Sequence, residues 1–174
     1  MSYYDIDSIL TDAQKVPCTF ELDVPSLGYL DNNPGHTLKT HTRVDLPLWL
    51  AEMLAVSGAS STPLITLDLP PCLSPRVMNA LKADAKSVDI RALAQHFYGL
   101  GARILELFEE EEVCDVLMGS WRERAAEISD HAGNAGQGQR GGGGGVGSDG
   151  VEFLRGLDEG ERALFRAQHE GSKG

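Results

Sequence analysis

The 174-residue chain is short of several things that would assign it a role at once. It has three cysteines, Cys18, Cys72 and Cys114, far apart and with no CxxC pair. That spacing excludes a disulfide framework, and with no histidine at ligand spacing from any of them it excludes a cysteine zinc site. An odd, sparse count fits a reducing compartment, each thiol behaving as a small apolar side chain. No run of about 18 apolar residues occurs, so no membrane-spanning helix is expected. The N-terminus, MSYYDIDSIL, lacks a basic region and places Asp5 and Asp7 inside the apolar stretch a leader would need, so no signal peptide is expected. Positive charge is scarce: 15 Lys and Arg stand against 26 Asp and Glu, a formal net charge of -11. Before Cys72 the only basic residues are Lys15, Lys39 and Arg43. Neither half carries the basic field that grips phosphate, which argues against a nucleic-acid-binding surface.

What is present is 41% hydrophobic, a little below the usual range for a soluble globular protein, with a mean hydropathy of -0.20. A chain of this length buries roughly 68–70% of its unfolded surface and needs no staple. In residues 5–14, Ile6, Ile9, Leu10 and Ala13 recur at i, i+3, i+4 and i+7, predicting a short helix that Asp5 would cap. Residues 16–24, VPCTFELDV, alternate apolar and polar, a half-buried strand whose Pro17 suggests an edge or a strand start. VDLPLWLAEML, residues 44–54, predicts a helix with Pro47 in its first turn and Trp49, Leu50, Met53 and Leu54 on one face; Gly58 closes it. LITLDLPP, residues 64–71, alternates again and stops at two prolines.

From residue 73 the period changes to that of helices. SPRVMNALKAD offers Ser74 as a cap and Pro75 as the first helical residue. A helix over about 88–108 follows, with Ile90, Leu93, Phe97, Leu100, Ile104 and Phe108 in register. Another over about 112–130 carries Val113, Val116, Leu117, Trp121 and Ile128, and the acidic run 109–112 marks the boundary between them. Residues 131–150 hold ten of the twenty glycines and read as a flexible linker, not a phosphate loop, since no GK[ST] closes it. A last helical pattern runs over 151–168. The predicted fold class is therefore α+β: a small strand-containing unit over 1–70, then a mainly α-helical bundle over 71–174 with a Gly-rich insertion at 131–150.

DIRALAQHFYGLG, residues 89–101, is the stretch most open to a functional reading. Catalysis would need a nucleophile, a base and an orienter. His96 is the only histidine inside a strong element, no serine lies in a GxSxG setting, and no Cys–His pair is evident. A packing histidine is the plainer reading; the rival is a small enzyme pairing His96 with a carboxylate such as Asp89. No cofactor or metal site is predicted, since the acidic run 109–112 lacks calcium-loop spacing. Gly99 and Gly101 each cost about 1 kcal/mol in a helix interior. Beside Phe97 and Tyr98 they predict either a break after Tyr98 or the close approach of another backbone, within the chain or from a partner.

The blocks IDSIL, QKVPC, VPSLGYL, VDLPLWLAEML, TLDLPP, KADAKSVDIRALAQHFYGLG and LDEGERALF, in that order, resemble GINS complex subunits of the Psf-three type. LPLWLA and HFYGLG are the strongest signatures, and the resemblance covers residues 3 to 169, with the glycine tract as an insertion and a C-terminal extension of some relatives missing. It implies a strand-rich B domain followed by a helical A domain, and no enzymatic activity. It implies a nuclear heterotetramer with Sld-five, Psf-one and Psf-two subunits. That tetramer joins the Cdc-forty-five protein and the MCM ring in the replicative helicase and supports DNA polymerase epsilon. Candidate interface or packing residues are Trp49, Phe97, Tyr98, Gly99, Gly101, Ile104, Trp121 and Phe165. A free-standing acidic helical adaptor is the alternative among non-enzymes.

Overall fold

The computed structural model describes residues 4–57, 63–108, 110–137 and 148–171, with side chains described through Gly133 and again from Gly150. The chain divides into two compact units, Met1–Pro71 and Cys72–Gly174. Its class is α+β: a three-stranded sheet lies in the first unit and helices make up the second.

In the first unit, helix α1 (Ile6–Asp12) leads into β1 (Lys15–Phe20), β2 (Arg43–Pro47), helix α2 (Leu48–Val56) and β3 (Ile65–Leu67). The sheet order is β2-β1-β3, both pairs antiparallel. Pro17 thus lies in the central strand, not at an edge. Its carbonyl accepts the Asp68 amide at 2.9 Å, but a proline has no N–H to return the bond, and β3 ends at Leu67. The helix expected over 44–54 begins only at Leu48, because Val44 and Leu46 pair with Cys18 and Val16 as strand β2. Pro47 stands just before the helix, with φ -56° and ψ 141°, instead of in its first turn. Val16, Cys18, Phe20, Leu38, Leu46, Leu48, Ala51 and Ile65 are the buried core of this unit.

The face predicted to turn inward on α1 turns outward. Ile6, Ile9 and Leu10 are exposed, and the buried side of the helix is marked by Thr11. Asp5 precedes α1 without capping an amide; it accepts the Ser8 hydroxyl at 2.8 Å instead.

The second unit contains α3 (Pro75–Ala83), α4 (Ile90–Leu93), α5 (Phe97–Leu107), α6 (Glu111–Gln137), α7 (Ser148–Arg155) and α8 (Glu159–Gly171). Helix α6, 27 residues and roughly 40 Å long, is its spine and packs against α3, α5 and α8. The unstructured linker expected from residue 131 is corrected: α6 continues to Gln137, and α7 starts at Ser148. Packing outweighs the poor helix propensity of the segment, for Ile128 and Ala132 are buried and His131 lies against the Phe153 ring. The expected flexible path over 138–147 lies outside the described residues, as do Gly58 and Glu109. The single helices expected over 88–108 and 151–168 are each two helices joined by a turn.

Candidate functional site

DIRALAQHFYGLG spans the joint between α4 and α5. Asp89 Oδ1 accepts the Ala92 amide at 3.0 Å and starts α4, which lasts one turn. Ala94 is extended, and His96 precedes α5 with φ -119° and ψ 57°. The break therefore comes before Phe97, not after Tyr98, and both glycines lie inside α5. The cause is the turn between α7 and α8, which hydrogen-bonds along the joint. The Arg91 amide donates to Gly156 O at 3.1 Å, the Glu159 amide to Gln95 O at 3.0 Å, and the Tyr98 amide to Asp158 Oδ2 at 3.2 Å. Gly156 allows this approach, since a Cβ there would sit 3.2 Å from the Asp89 Cα.

Asp158 starts two helices. Its Oδ1 accepts the Glu161 amide at 2.8 Å, and Glu161 Oε2 accepts the Asp158 amide at 3.0 Å, a reciprocal cap on α8. Its Oδ2 serves α5 through Tyr98. Burial pushes the Asp158 carboxyl above the usual range, against the pull of these two amides. Beneath it, Arg124 and Glu161 are both wholly buried. Arg124 Nε and Nη2 donate to the two Glu161 oxygens at 2.6 and 3.0 Å. Nη1 donates to Ala85 O and Val88 O at 2.8 and 3.1 Å, and Nη2 to Gly156 O at 3.5 Å. Five guanidinium N–H groups thus meet five acceptors, with the Phe153 ring centre 4.9 Å from the cation.

Around this centre the candidate residues divide. Phe97 and Ile104 are buried core, while Tyr98, Trp121 and Phe165 are half-buried and Gly99 is exposed. Tyr98 meets Phe97 edge-on at 5.2 Å and Trp121 at 4.8 Å, and its hydroxyl donates to Ser120 Oγ at 3.2 Å. Burial raises the Tyr98 phenol well above its ordinary value. Gly101 is buried against a side chain, not a backbone: a Cβ there would sit 2.7 Å from Leu117 Cδ1 of α6. Phe165 packs on the cluster of Ile128, Phe153 and Leu157. His96 is 6% exposed and its Nε2 has no hydrogen-bond partner. Asp89, its candidate partner, is engaged as the cap of α4.

A cleft of about 860 Å³ lies beside the joint, walled among others by Lys86, Glu127, His131, Phe153 and Arg155. Glu127 gathers two of these groups: Lys86 Nζ lies 2.7 Å from it and His131 Nε2 3.3 Å. The Lys86 bond holds the Glu127 carboxyl below its ordinary range. Among the described residues no group of three or more His, Cys, Asp or Glu side chains is placed to hold a metal ion, and no helix is long and apolar enough to cross a membrane.

Arg124, Asp158 and Glu161 were not singled out from the sequence, although the signals are there. Arg124 falls in the apolar stripe of α6, seven residues after Leu117 and four before Ile128, and LDEGE holds the D-x-x-E spacing of a capping box.

In the first unit, taken by itself, apolar side chains are left uncovered. Trp49 is 50% exposed, Met53 60% and Val56 79%, a stripe at i, i+4 and i+7 along α2. On α1, which lies against α2, Ile6 is 70% exposed, Ile9 54% and Leu10 47%.

Two family models match the chain, a PSF3 N-terminal domain over residues 4–56 and a GINS complex protein helical bundle domain over residues 72–174. Among similar proteins, the DNA replication complex GINS protein psf3 of Aspergillus fumigatus is 58% identical, over 99% of this chain and 93% of its own length. The protein of the same name from Phaeosphaeria nodorum is 58% identical over 99% and 92%, and that from Saccharomyces cerevisiae 35% identical over 99% and 95%.

Proposed function

This chain belongs to the PSF3 family of GINS complex proteins, and from that premise we propose that it is a non-enzymatic structural subunit of the GINS complex in DNA replication. On this reading it assembles with Sld5-, Psf1- and Psf2-type subunits into a heterotetramer in the nucleus. The tetramer then serves initiation and elongation with the Cdc45 protein and the MCM ring, and supports DNA polymerase epsilon. Residues 1–70 act as the B-type domain and 71–174 as the A-type domain.

The observation that carries the reading is the uncovered apolar stripe Trp49–Met53–Val56 on α2. Obligate subunits bury such surface, in interfaces of roughly 2,000–5,000 Å² that are more hydrophobic than transient ones. The buried charged groups of the second unit point the same way, because they are spent on the chain's own architecture. Arg124 and Glu161 satisfy each other, and Asp158 starts two helices.

Size-exclusion chromatography with light scattering tests this on the chain alone and co-expressed with the three sister-type subunits. The expected result is aggregation alone and a one-to-one-to-one-to-one tetramer together. A soluble monomer that ignores the other three would overturn the reading and favour a free-standing adaptor.

A further inference from the structure

We draw no further inference here: the strongest candidate, the cleft that α6 and α7 form with the turn between α3 and α4, is lined by side chains of both charge signs, Lys86, His131 and Arg155 beside Asp84, Asp89, Glu127 and Glu152, and nothing in the structure selects what would fill it.

Discussion

Arg124 holds a full charge with none of its side chain exposed, and only saturation of its donors makes that tolerable. Two of its N–H groups neutralise Glu161; the other three donate to the carbonyls of Ala85, Val88 and Gly156, the last already held by the Arg91 amide. Arg124→Met should therefore destabilise the chain by about 3–5 kcal/mol, because it strands a buried carboxylate. Urea unfolding measures this, and a loss under about 1 kcal/mol would show the pair to be dispensable. Adding Glu161→Leu should restore part of the stability, since it removes the stranded charge. Restoration is incomplete, for three carbonyls and the cap on α8 still lose a donor or an acceptor.

Between elements, the contacts that matter are those where a helix starts or a backbone passes close. Gly28 and Gly101 show the difference. A Cβ at Gly28 would run into the carbonyl oxygens of Asn33 and His36, whereas at Gly101 it would meet the mobile end of Leu117. Gly28→Ala is expected to cost about 1–3 kcal/mol as overpacking. Gly101→Ala should stay within about 1 kcal/mol, the helix propensity gained offsetting the repacking. Thermal melts of both variants check the contrast. Ion pairs also fasten elements of the helical unit: Lys82–Glu112, Lys86–Glu127 and Arg91–Glu159. Their hydrogen bonds hold all three carboxyls below the ordinary 4.5. The stability they add is present above that value and is lost as pH falls through the lowered ones. Urea midpoints should thus drop below about pH 4.5, less steeply in Lys86→Met. Periodicity made the helices, β1 and β3, and the α+β order legible in the sequence, because burial in them is local and repetitive. The joints were not legible. The break before Phe97 is imposed by the α7–α8 turn, whose Asp158 lies 60 residues beyond the Tyr98 amide it accepts, and β2 by pairing of Val44 and Leu46 with β1. The outward stripe of α1 has the same period as an inward one, so pattern alone could not tell which way it faces.

Across the whole molecule the charge of -11 argues that DNA is gripped elsewhere. The isolated chain is expected to leave a short labelled duplex unbound at physiological salt, by fluorescence anisotropy. Tight binding that weakens with salt would contradict this. The Arg124–Glu161 bond has a consequence in time. The two residues are 37 apart, with the glycine tract between them, and synthesis delivers the cation first. Until the later carboxylate leaves the ribosome, the bundle has its spine but not its counterion, and neither α5 nor α8 has the Asp158 cap. The helical unit can therefore complete its buried ion pair only once its last helix has been made.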